Sequence, residues 1–214
     1  MVHDISPPLS PALAVWPGDV AVHREVSMDM RDGDALNLSA LRCTVHAGAH
    51  ADAPSHFGAG APSIEQLDLE DFIGPCQVVR VEVGGGTAIR QEDLPVAITA
   101  ERVLFATGTR PDPEVFTEDF AAIDPRLAES LADRGVRLIG IDTPSVDLFD
   151  APDLPTHKTC LRRNLRILEN LALGGVEPGL YELIALPLHL VGFEASPVRA
   201  VLREQHGTRR GAGA

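Results

Sequence analysis

The stretch LSALRCTVHAGAHADAPSHF (Leu38–Phe57) decides how this chain is read. Its first part alternates Leu41, Cys43 and Val45 against polar neighbours, the period-two pattern of a strand. Its second part crowds His46, His50, Asp52 and His56 together with almost nothing bulky and apolar to bury. All four sit at even positions, and in extended backbone residues of one parity point to one side. Gly48 and Pro54, with the small Ala47, Ala49, Ala51 and Ala53, let the backbone bend and approach closely. A strand over Leu38–His46 is expected to deliver the chain to a polar cluster where a sheet ends, a common place for a site.

Working outward, CQVVRVEV (76–83) sets Val79, Val81 and Val83 on one side, with Arg80 and Glu82 facing the other way. RVLFATG (102–108), VRLIGID (136–142) and YELIALPL (181–188) are short, nearly continuous apolar runs, expected as strands buried on both faces. DPRLAESLADRG (124–135) predicts a helix with Asp124 as its cap, Pro125 in the first position and Gly135 as terminator. A second helix is expected from Leu161 to about Leu171, with Leu161, Leu165 and Leu168 on one face. The glycines at 84–86 read as a loop without the lysine and Ser/Thr of a phosphate-binding loop. The sum is a single α/β domain over residues 1–206, with a mixed sheet and few helices rather than strict strand–helix alternation. The Gly-rich tail, 207–214, is expected to be disordered.

Composition narrows the function. Eighteen basic against 31 acidic residues give a net charge of −13, which argues against nucleic acid and anionic membranes as partners. Cys43, Cys76 and Cys160 are an odd set without CxxC spacing, so no disulfide framework is expected and the compartment is a reducing one. The N-terminal residues lack a signal-peptide pattern, and no apolar run approaches the roughly 20 residues of a membrane helix. The cytoplasm is the expected location.

The cluster itself points to a metal. Neutral imidazoles with a carboxylate suit zinc, or manganese where oxygen donors dominate, and Asp52 has two oxygens with which to bridge a second ion. Further ligands must come from elsewhere. His157 is expected just before the second helix, and Glu169 on that helix beside the leucine stripe, where a half-buried carboxylate needs a partner. These two are the candidates. Trp16 is the only tryptophan in a chain poor in aromatics.

HAGAHADAPSHF resembles the HxGxHxDxPxH signature of the cyclase-like metal hydrolases, in particular the bacterial kynurenine formamidases. WPGD (16–19) after DIS (4–6), GVRLIGIDTPSVD (135–147), ILE (167–169), YELIALPL and ASPVRAVLR (195–203) read like the same group in the same order. The resemblance implies a compact α/β domain around a mixed, barrel-like sheet (a swivelling β/β/α fold), assembled as a homodimer or higher oligomer. It implies two zinc ions per subunit, the first held by His46, His50 and Asp52, the second by Asp52, His157 and Glu169. His56 is then the acid/base residue and Trp16 a wall of the substrate pocket. The implied reaction is hydrolysis of N-formyl-L-kynurenine to L-kynurenine and formate, by water activated between the metals, in tryptophan degradation. Where formamidases often carry a second histidine after the position of His157, this chain has Lys158. The rival readings are an isatin-hydrolase-like enzyme opening a cyclic amide, with manganese, and a non-catalytic metal-binding domain with no use for His56.

Overall fold

The apolar runs stack side by side in the middle of one sheet. The structure, a computed structural model, describes residues 1–204. The expected tail at 207–214 lies outside them. From the N-terminus come β1 (Val2–Asp4), β2 (His23–Met28), β3 (Leu38–Arg42), β4 (His50–Asp52) and β5 (Ile73–Arg80). β6 (Ala88–Ile89), β7 (Arg102–Ala106) and β8 (Ala122–Ile123) precede the first helix, α1 (Pro125–Asp133). β9 (Leu138–Ile141), α2 (Pro155–Arg163), β10 (Arg166–Glu169), β11 (Gly179–Ile184), β12 (Ala195–Pro197) and β13 (Val201–Glu204) follow.

Nine strands form a mixed, curled half-barrel sheet in the order β1-β13-β11-β5-β7-β9-β10-β4-β12. Neighbours from β5 to β10 are parallel; the flanks are antiparallel. The α/β domain with few helices is as expected. β7 and β9 are buried along their whole length, as their unbroken apolar runs predict. Val103, Phe105 and Ile139 face one layer, which also holds Leu127 and Leu131 of α1 and Cys160 of α2. Leu104, Ala106 and Leu138 face a second layer with Phe72, Leu168 and Leu183. Gly140 in β9 is a packing requirement: a Cβ there would lie 2.5 Å from Leu104 Cδ2 and 3.0 Å from Leu171 Cδ1.

α1 forms as its sequence predicts. The Asp124 carboxylate accepts from the Arg126 N–H at 2.7 Å, and Gly135 takes the left-handed conformation beyond the helix end.

Three expectations change. The second helix starts earlier, at Pro155, and stops at Asn164, which adopts a left-handed conformation (φ 57°) and caps the last carbonyls. The chain then enters β10, parallel to β9, so Glu169 lies on a strand. The helical spacing of Leu161, Leu165 and Leu168 was coincidental: sheet pairing overrides the periodicity of so short a segment. β3 ends at Arg42, pairs only with β2 among the described residues, and has no buried residue. It therefore does not lead into the main sheet. Beyond the doubly buried Cys76–Val79 of β5 the expected alternation holds, with Val79, Val81 and Val83 packed in one layer and Arg80 and Glu82 exposed. β11, expected to be buried on both faces, alternates: Tyr181 and Leu183 are buried, Glu182 and Ile184 half-buried and Leu180 exposed. No helix among the described residues is long and apolar enough to cross a membrane.

Candidate metal centre

Backbone pairing assembles the cluster. β4 lies antiparallel between β10 and β12, with His50 opposite Glu169 and Asp52 opposite Ile167. His50 and Asp52, two residues apart, share one face, while Ala51 between them packs into the core. His46 lies in the turn before β4. Gly48 makes that turn in a left-handed conformation (φ 63°), and a Cβ on it would approach Leu9 Cδ2 to 2.8 Å. His157 enters from the first turn of α2, and His56 from a short 3-10 turn opened by Pro54. The shared parity thus has a strand as its cause only for His50 and Asp52.

The donors converge from all these elements. Asp52 Oδ1 is 3.2 Å from His46 Nδ1 and 3.5 Å from His50 Nε2; Asp52 Oδ2 is 3.3 Å from His157 Nε2. Glu169 places Oε2 3.3 Å from His50 Nε2 and Oε1 3.5 Å from His157 Nε2. Two groups result, His46–His50–Asp52 and Asp52–His157–Glu169, each with ligand atoms within 4.8 Å of one another. Asp52 belongs to both.

Ring orientations are fixed from behind. His50 Nδ1–H donates to the Gly48 carbonyl at 2.9 Å, and His157 Nδ1–H donates to Asp147 Oδ2 at 2.7 Å. Each bond leaves Nε2 facing the cluster, the arrangement that sets up a histidine as a metal ligand. The fit to a cation is visible in what lacks a partner: His50 Nε2, His46 Nε2 and Asp52 Oδ1 are buried without a hydrogen bond among the described residues. Such orphans are costly unless something satisfies them. Five N and O donors with two carboxylates suit a divalent ion such as zinc or manganese.

The electrostatics agree. Burial alone would lower the His50 pKa, but the Asp52 and Glu169 carboxylates, 3.5 and 3.3 Å from its Nε2, overturn this and hold it up at about 10. His157 is likewise raised well above its usual value: burial opposes, and Asp147, Asp52 and Glu169 prevail. Burial pushes the Asp52 carboxyl up, yet the imidazoles of His157, His46 and His50 around it bring it well below the carboxylate range. This centre is built to hold positive charge.

His56 differs. It belongs to neither donor group, its ring centroid lies 4.3 Å from that of His46, and it keeps an exposed face. Desolvation lowers its pKa, with Asp52 opposing and His46 assisting. All three histidines of the opening stretch, together with His157, Glu169 and Trp16, line one cavity of about 340 Å³. Trp16 packs edge-on against Phe116 and tilted against Phe149, with ring centroids 5.5 and 5.1 Å apart.

The chain matches the family described as "Putative cyclase" over residues 3–148. It belongs to the cyclase family. Among cyclase relatives, a kynurenine formamidase of Bordetella avium is 47% identical over 203 residues, covering 94% of this chain and 97% of the relative. One of Delftia acidovorans is 46% identical over 202 residues, covering 94% and 96%. A solved structure described as a potential metal-dependent hydrolase with cyclase activity superposes with a TM-score of 0.81 at 29% identity, covering 96% of this chain and 99% of that one. Isatin hydrolase A of Labrenzia aggregata, at 21% identity, covers 96% and 94% with a TM-score of 0.80 and shares the fold.

In this cyclase three cavity-region residues escaped the sequence reading. Asp147 orients His157 and also accepts the Thr156 and His157 backbone N–H groups at 2.8 and 3.0 Å. It closes the family-like stretch GVRLIGIDTPSVD, but no role was read for it there. Arg110 and Asn170 line the cavity without any motif to mark them. Lys158 points to solvent from α2, so its departure from the formamidase pattern lies away from the donor groups.

Proposed function

We propose that the chain hydrolyses N-formyl-L-kynurenine to L-kynurenine and formate in tryptophan degradation. The observation that carries this reading is near-full-length identity of 47% to a kynurenine formamidase, joined to a cavity that holds both donor groups. Two zinc ions per subunit are read into the centre, with His46, His50 and Asp52 holding one and Asp52, His157 and Glu169 the other. Bound there, the cations supply Lewis acidity and lower the pKa of water toward neutrality.

The chain's own residues do the rest. Trp16 offers an indole face to the aminophenyl ring and, wedged between Phe116 and Phe149, holds its orientation without help from the substrate. This turns the formyl group toward the donor cluster on the cavity floor. The lowered His56 pKa leaves its imidazole neutral at pH 7, with a ring nitrogen free to accept a proton from the attacking water. That proton goes to the anilide nitrogen as the C–N bond breaks, because an aniline anion is a poor leaving group. Glu169 Oε1, which accepts the Val146 N–H at 2.7 Å, is anchored and keeps the floor rigid.

The placement of His56 on the cavity supports a catalyst over a non-catalytic metal-binding domain. The enzyme is read further as a cytoplasmic homodimer; the exposed Val26, Leu38 and Leu41 of the β2–β3 hairpin support association. Formate release from N-formyl-L-kynurenine by metal-loaded protein tests the reading, with isatin as the competing substrate. Turnover of isatin alone would assign the chain to the cyclic-amide branch.

A further inference from the structure

Arg110 is a cation in the cavity wall that neither the metal centre nor the proton transfer uses. Its guanidinium is tied down on one side: Nη1 donates to Asn170 Oδ1 at 2.5 Å, and Nη2 donates to the carbonyls of Pro113 and Ala14 at 3.0 and 3.3 Å. A guanidinium has five N–H donors, so these three bonds leave two, and Nε is buried without a partner. No carboxylate pairs with it at ion-pair distance among the described residues. Asp112 acts on it only through space. An arginine half-buried in a cavity without an anion is an uncompensated charge, which is costly unless a ligand supplies the counter-charge.

Its support is equally specific. Asn170 directly follows Glu169 and adopts a left-handed conformation (φ 56°), rare outside glycine, with its N–H donating to the Thr143 carbonyl at 2.8 Å. That conformation turns the Asn170 amide toward Arg110, so the arginine is braced from the strand that carries a candidate metal ligand. Two further charged groups on the cavity wall, Asp19 and Glu194, are acidic, and Glu194 Oε1 lies 4.0 Å from His46 Nε2 at the edge of the donor cluster. Away from the donor cluster the wall therefore presents one fixed cation, Arg110, and one carboxylate, Asp19.

We infer that Arg110 binds the α-carboxylate of an amino-acid substrate, making it a specificity-determining residue. The inference rests on the formamidase reading and narrows it: substrates are formyl-anilides bearing an anionic side chain. Asn170 is a positioning residue for Arg110.

The test compares N-formyl-L-kynurenine with 2-formamidoacetophenone, which keeps the formyl-anilide and the ketone but lacks the amino-acid end. In Arg110→Gln, the ratio of kcat/KM for the first over the second is expected to fall about 10- to 100-fold, through KM, as loss of a charge-assisted hydrogen bond predicts. Binding of L-kynurenine, followed by titration calorimetry, should weaken by a similar factor, and Arg110→Lys should recover part of both. Equal losses on the two substrates would make Arg110 structural and overturn the inference, and an unchanged ratio would do the same. A wild-type enzyme that turns over neither substrate removes the formamidase reading itself, and the inference falls with it.

Discussion

β3 and β4 lie eight residues apart, and their burial is the reverse of their hydropathy. β3, LSALR, carries two leucines and is exposed at every position; β4, HAD, carries a histidine and an aspartate and is buried at every position. The difference lies in their neighbours. β4 is paired on both sides, by β10 and β12, and its polar side chains converge with Glu169 on the donor cluster. Among the described residues β3 pairs only with β2, in a two-stranded sheet separate from the main one. Composition of a short strand says what it can pair with chemically; the pairing decides what is buried.

The largest expected effect that would break this contrast is at β4. His50→Ala removes a donor common to the metal centre's approach to Glu169 and should lower kcat/KM by at least about 10³-fold, with loss of bound metal, as several kcal/mol of cation stabilisation disappear. Retention of metal and activity would show that β4 is buried for reasons unrelated to metal. His56→Ala comes next, with kcat down roughly 10²- to 10⁴-fold while metal content stays at the wild-type level. Normal turnover would dismiss it as the proton carrier. Asp147→Asn removes the acceptor charge behind His157 and should weaken metal binding about 10- to 100-fold, read by competition with a chelator. The smallest effect is at β3: Leu41→Ser should change unfolding free energy by less than about 0.5 kcal/mol, since 62% of Leu41 is exposed. A larger, concentration-dependent loss would show that a second copy covers the hairpin.

What was legible follows the same division. The unbroken apolar runs of β7 and β9, and the cap, proline and glycine of α1, are local signals, and the structure keeps them. The cluster from His46 to His56 is legible because donors close in sequence stay close in space. Glu169 was a candidate for a sound reason, a carboxylate with nowhere to go, attached to the wrong element: nothing local separates a helix from a strand in LRILEN. Asp147, Arg110 and Asn170 were missed because their roles depend on contacts 10 to 60 residues away in the chain.

Metal titration tests the central claim most directly. Chelator-stripped protein, given zinc while formate release from N-formyl-L-kynurenine is followed, should start inactive and regain activity until two equivalents per chain are bound. Full activity in the stripped protein, or a plateau reached at a single equivalent, would contradict a centre in which Asp52 joins two ions.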